Sequence, residues 1–229
     1  MKTIVIGAAL AAVAAALLPA QVASAQIWIP NELRVTGVTA AGSGCPRQTP
    51  TVVYSQGQRA LVVTMPGSIS AVTGPGHDPS ESNAYCTIGI EFDARPGYRF
   101  AITRATYHGY ANLDAGVLGM QTITHWFMGQ GDRGRFITNL IGPQRGGYQR
   151  NQTAAPVGWS SCTEDRRLNI DFDVSVSNIS SPQGRGTLST GPGVYQFGLT
   201  WAPCDGSSPP EPGFTFEPWI VPGPPGGPP

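Results

Sequence analysis

Cys45, Cys86, Cys162 and Cys204 are the most reactive side chains in this sequence, and their count is even. Four thiols either close two disulfides in an oxidising compartment or hold a zinc ion. A four-thiolate zinc site usually carries a C-x-x-C knuckle, whereas the nearest pair here, Cys45 and Cys86, is separated by 41 positions. Two disulfides are therefore expected. Of the three possible pairings, the sequential one, Cys45–Cys86 with Cys162–Cys204, closes loops of similar length and puts each cysteine at a strand end.

Carboxylates come in two alternating pairs, Glu91/Asp93 and Asp171/Asp173. Such spacing can serve a glycosidase pair or a calcium ligand set. Parity argues otherwise. If Ile88, Ile90 and Phe92 face inward, Glu91 and Asp93 face water, and Ile170 and Phe172 place Asp171 and Asp173 the same way. Acids on a wet face keep a strand soluble and discourage edge pairing. No metal is expected; if both strands share one sheet, these four acids are the weak candidates to gather a cation.

The three histidines do not form a ligand motif. His77 lies in a Gly/Pro loop. A hairpin turning near Asp114 would set His108 against Met120 and His125 against Thr103, not against each other. A nucleophile elbow G-x-S-x-G is absent, and Gly42-Ser43-Gly44 reads as a turn beside a cysteine. No glycine-rich phosphate loop opens a helix. Catalytic residues and cofactors are accordingly expected to be none. Aromatic rings stack on sugar faces; Trp126 and Trp201 sit at strand positions and suit a core, while Trp159 and Tyr148, in Gly-rich surroundings, are the candidate ligand-facing aromatics. Asn151-Gln152-Thr153 and Asn178-Ile179-Ser180 fit the N-glycosylation sequon.

The elements that must position these groups are strands. Cys86–Asp93 and Leu168–Ser177 alternate apolar with polar or small residues, the period of a half-buried strand. Leu33–Ala41, Val52–Ser55, Ala60–Met65, Tyr98–Tyr110, Val117–Met128 and Val194–Trp201 are rich in β-formers. Gly/Pro turns punctuate them, and no amphipathic helix of ten residues stands out. Gln130–Gly158, with six Gly and four Arg, reads as a long loop. The pattern predicts an all-β fold, an antiparallel β-sandwich with a jelly roll or barrel as the alternative.

Lys2, the uncharged run Thr3–Leu18, Pro19 and Ala23-Ser24-Ala25 compose a secretory signal peptide over residues 1–25. Cleavage leaves thirteen Arg against fourteen acids. That balance offers no electrostatic footprint for nucleic acid, and no later run is apolar enough to span a membrane. Residues 26–204 form one domain. Residues 205–229 hold nine Pro and five Gly, the composition of a polyproline-like tail.

Several ordered motifs resemble a secreted bacterial and fungal family catalogued as domain of unknown function 4360. Gly42-Ser43-Gly44-Cys45-Pro46 matches its opening, and Asn83–Ile88 its second-cysteine strand. Pro96–Ile102 and Tyr107-His108-Gly109-Tyr110-Ala111-Asn112-Leu113 match the next two motifs. Ser160-Ser161-Cys162 with Leu168-Asn169-Ile170, and Trp201-Ala202-Pro203-Cys204, match the last two. The resemblance implies a compact exported β fold and no assigned activity. Together these features predict a secreted or cell-wall-associated, non-catalytic binding or structural protein. A carbohydrate-binding module is the alternative, then an enzyme of unrecognised type. The expected partner is cell-wall polysaccharide or another surface component; oligomeric state is open.

Overall fold

The computed structural model describes residues 33–206, and the expected signal peptide and most of the proline-rich tail lie outside them. Twelve strands follow in order: β1 Leu33–Ala41, β2 Thr51–Ser55, β3 Ala60–Met65, β4 Ser70–Thr73, β5 Asn83–Ala94, β6 Tyr98–Leu113, β7 Leu118–Phe127, β8 Gly134–Ile141, β9 Gln144–Thr153, β10 Leu168–Ser177, β11 Gly186–Thr190 and β12 Gly193–Pro203. A 3-10 turn, Pro79–Ser82, precedes β5 and is capped by Asp78.

The strands build two antiparallel sheets, neither closed into a barrel. One runs β1-β5-β10-β7-β8; the other runs β2-β3-β12-β6-β11-β4, with β9 added against β6. Alternation explains the sandwich. In β10, Leu168, Ile170, Phe172, Val174 and Val176 are buried, and the residues between them are half-exposed. Opposite them, β6 and β12 contribute Phe100, Ile102, Tyr107, Tyr195, Phe197 and Leu199. Phe172 packs edge-on against Tyr195 and Phe197. The expected disulfides, Cys45–Cys86 and Cys162–Cys204, are both formed.

Two expectations fail for one reason: the chain changes sheet where local pattern suggests it stays. β6 and β7 are not a hairpin, because the turn at Asp114 crosses from one sheet to the other. The turn is fixed by Val117 N donating to Asp114 O (3.1 Å) and Arg185 N donating to the Asp114 carboxylate (2.9 Å). Nor is Gln130–Gly158 a long loop. It forms β8 and β9, joined through the cis Gly142–Pro143 peptide as the chain crosses back. Gly142 N donates to Val117 O at 2.9 Å and ties the two crossings together.

Where β8 and β9 flank the open side, the interior is polar. Tyr107 donates to Gln152 Oε1 (2.9 Å) and shares a 2.7 Å bond with the Thr138 hydroxyl. Tyr148 donates to Gln121 Oε1 at 2.6 Å, and Gln152 Nε2 donates to Ile137 O at 2.9 Å. Gly109 of β6, opposite Tyr148, makes room for that ring. A Cβ there would sit 2.4 Å from Tyr148 Oη and 2.6 Å from Ser189 O. Gly109→Ala is expected to cost about 2 kcal/mol by overpacking, lowering Tm by about 6 °C for a domain of this size. A thermal melt that matches wild type would show that the strand yields without strain.

Candidate functional site

Among the described residues, a cleft lies at one end of the sandwich. β5 ends at Ala94 and β6 starts at Tyr98, so Arg95–Gly97 make a tight turn with Gly97 at φ 80°, a conformation glycine adopts freely. Facing it is the segment Ser161–Asp165, between β9 and β10. Between them opens a cleft of about 150 Å3. Its walls include Arg95, Tyr98, Ser161, Thr163, Glu164 and Asp165.

Both walls are tied down. Ser160 N donates to Phe100 O (2.8 Å), and Ser160 Oγ accepts from Phe100 N (2.9 Å). Cys162 is bridged to Cys204, whose amide donates to Gly97 O at 2.9 Å. The Asp165 carboxylate accepts from Ala94 N at 3.3 Å. Ser161 Oγ accepts from the amides of Thr163 (3.2 Å) and Glu164 (3.3 Å). Glu164 pairs with Arg166 at 3.1 Å, and the Arg95 guanidinium lies 5.0 Å from the Tyr98 ring centre. The cleft thus presents hydroxyl, carboxylate and guanidinium groups around one aromatic ring, in a space comparable to cavities that accept a six-membered ring.

Trp159 sits one residue before Ser160, half-buried, with the Arg99 guanidinium 5.0 Å from its ring centre. It adjoins the cleft wall. Tyr148 does not: it is 8% exposed and its hydroxyl is spent on Gln121. Burial pushes its ionisation up, with the neighbouring Tyr195 and Tyr107 adding to the effect.

The four alternating acids share a sheet but not a location. In the register of β5 on β10, Asp171 faces Thr87 and Asp173 faces Tyr85, while Glu91 lies beyond the paired stretch. Glu91 is bound by Arg167 (2.7 Å), and Asp93 by Arg34. Asp171 accepts from Thr87 Oγ1 (2.7 Å), and Asp173 from Asn83 Nδ2 (3.0 Å). Burial raises the Asp173 pKa, opposed by the Asn83 bond and reinforced by the charge of Asp171. Among the described residues, no three His, Cys, Asp or Glu side chains are grouped to hold a metal. His77 pairs with Glu81 at 2.9 Å, His108 stacks on Tyr195 in one sheet, and His125 is buried in the other.

Patterning does not mark Arg95, Tyr98, Ser161, Thr163, Glu164 or Asp165 as a site. The one cue is their closeness to Trp159 and Cys162.

Comparison with known proteins gives a family and little chemistry. A family model described as Domain of unknown function (DUF4360) matches residues 31–204. An uncharacterized secreted protein of Arthroderma benhamiae is 30% identical over 164 residues, covering 70% of this chain and 65% of that one. The chain therefore spans just under two thirds of the length of this relative. Among solved structures, TmCBM61 in complex with β-1,4-galactotriose is 10% identical at a TM-score of 0.27, covering 77% of this chain and 97% of its own. The enzymatically active domain of bacteriophage CBA120 tailspike protein 4 is 17% identical at a TM-score of 0.26, covering 76% of this chain and 21% of its own. Structural likenesses this loose carry no argument about ligand or reaction.

Proposed function

We infer a function for a chain that belongs to the family described as Domain of unknown function (DUF4360): it is an extracellular binding protein rather than a catalyst, and its ligand is a carbohydrate unit. Export is supported by the four cysteines, all consumed in two disulfides. The word "secreted" in the description of the fungal relative points the same way. So does the signal-like segment 1–25, which is proposed to leave Gln26 as the mature start.

The observation that carries the ligand class is the cleft beside Cys162–Cys204. A sugar offers vicinal hydroxyls that donate and accept at fixed spacing, together with an apolar ring face. Side-chain carboxylates, hydroxyls and a guanidinium answer the hydroxyls, and the Tyr98 ring supplies aromatic surface. Arg95 and Arg166 balance Glu164 and Asp165, so the surroundings favour a neutral sugar over a charged one. Rigid walls suit binding, because little ordering remains to be done when the ligand arrives. Loops held on a rigid β scaffold commonly carry recognition.

The test uses the full chain against a panel of neutral cell-wall polysaccharides, by calorimetry and retention on the insoluble polymer. Saturable binding of one polysaccharide is expected, with no new reducing ends. Arg95→Ala and Glu164→Gln should each weaken it about tenfold, the loss of one hydrogen bond to a charged group. Release of reducing ends, or retention of no polysaccharide at all, sinks this reading.

A further inference from the structure

We propose that Asn151 is an N-glycan acceptor and that Asn178, in the same sequon frame, is not. The inference rests on the export proposed above and is independent of the ligand. The frame alone, N-x-[ST], does not separate the two sites; their surroundings do.

Asn151 lies on β9, which among the described residues pairs with β6 alone and leaves its other edge free. The residue is exposed, and Thr153, which completes its sequon, is exposed as well. Among the described residues its side-chain amide has no hydrogen-bond partner. Asn178 sits in the turn between β10 and β11. Its Nδ2 donates to Pro182 O (3.1 Å) and Gly184 O (3.3 Å), so both amide hydrogens are spent. That turn is closed further by Ser181 N to Asn178 O (2.8 Å) and Gly184 N to Ser181 O (2.7 Å).

The modification forms a C–N bond between the asparagine nitrogen and the anomeric carbon of a lipid-pyrophosphate-linked oligosaccharide. The lipid pyrophosphate leaves, and the nitrogen gives up one proton. At Asn151 the exchanged hydrogen serves nothing in the protein. At Asn178 it strips one carbonyl of its partner and forces the 178–184 turn to reopen. A glycan on β9 also does something for the fold. A free strand edge is a template for pairing with another chain. Arg145 and Arg150 are the only charged residues on this strand, and Gly146 and Gly147 leave it thinly guarded. A glycan beside that edge screens it.

The full chain with its own leader would be secreted from a fungal host and mapped by peptide mass spectrometry before and after enzymatic deglycosylation. One glycan is expected, with Asn151 converted to Asp by the enzyme and Asn178 unchanged. Thr153→Ala, which leaves Asn151 in place, should abolish the glycan and raise the self-associated fraction in size-exclusion chromatography. Asn178→Gln should leave the glycan in place. Secreted protein bare at Asn151, or carrying its glycan on Asn178, overturns the assignment while export stands. A chain kept inside the cell overturns both.

Discussion

Replacing Cys162 and Cys204 together by serine is expected to lower stability by about 4 kcal/mol and to abolish ligand binding. The first number follows from the closed loop. The bridged residues are 42 positions apart, and on the chain-entropy model a loop of that size restricts the unfolded chain by about 4 kcal/mol. For a domain of this size the Tm should fall by about 12 °C. The second effect follows from where the bridge lies. Cys162 is part of one cleft wall, and Cys204 is hydrogen-bonded to Gly97 in the turn that forms the other. Removing the bond frees Ser161–Asp165 to move away from Arg95 and Tyr98 well below the melting temperature. The Cys45–Cys86 pair supplies the control. Its separation, 41, is nearly the same, so its removal should cost a similar amount of stability. It touches none of the cleft residues, so binding at 10 °C should survive. Equal loss of binding in both double variants would separate the cleft from the ligand.

The same contrast shows which parts of the molecule are legible in the chain. β5 and β10 announce themselves because one face of each is core and the other is wet, so the period of two is written in their residues. β9 does not. Its half-buried or buried positions are Gln144, Gly146, Tyr148, Arg150 and Gln152, since it lines the open side of the sandwich, where Tyr107 bonds Gln152 and Tyr148 bonds Gln121. Pattern recognition needs alternating apolar residues there and finds only Tyr148. Tyr148 misleads for a related reason. Glycine neighbours suggest an exposed loop, yet Gly109 on the adjacent strand is what admits its ring to the interior.

Sheet membership is also invisible locally. Alternation in β6 and β7 says that each has a buried face, not that the two faces belong to opposite sheets. The cleft inherits this problem. Its residues come from two short segments more than sixty positions apart in sequence, brought together by β6 pairing with β12 and by one disulfide. The cysteine pairing is the long-range contact that sequence alone could supply, and Cys162–Cys204 lies at the end of the sandwich where the cleft opens.

Acid should unfold this protein through His125. The ring lies in the core, 2% exposed, 5.7 Å from Phe136 and nearly parallel to it. Among the described residues neither ring nitrogen has a hydrogen-bond partner. Burial alone pushes the pKa down, from the ordinary 6.5 to about 4. The folded state therefore refuses a proton that the unfolded chain accepts. Above pH 6.5 the ring is neutral in both states and has no effect on the balance. As pH falls from 6.5 the unfolded state gains protons first, and stability drops until the folded state titrates near pH 4. The integrated loss is about 3 kcal/mol, 1.36 kcal/mol for each unit of difference. His125→Met puts an apolar group of similar size in place of the ring and removes the titration. It also removes two buried nitrogens without partners, so stability at pH 7 should hold or rise. Urea midpoints at pH 7.5 and pH 4.5 for both proteins isolate the effect, because the two differ only at residue 125 and share every other titrating group, Asp173 with its raised pKa included. Wild type should lose more than the variant by about 2 to 3 kcal/mol over that interval. Parallel losses in the two proteins would mean that the ring takes up its proton without leaving the fold.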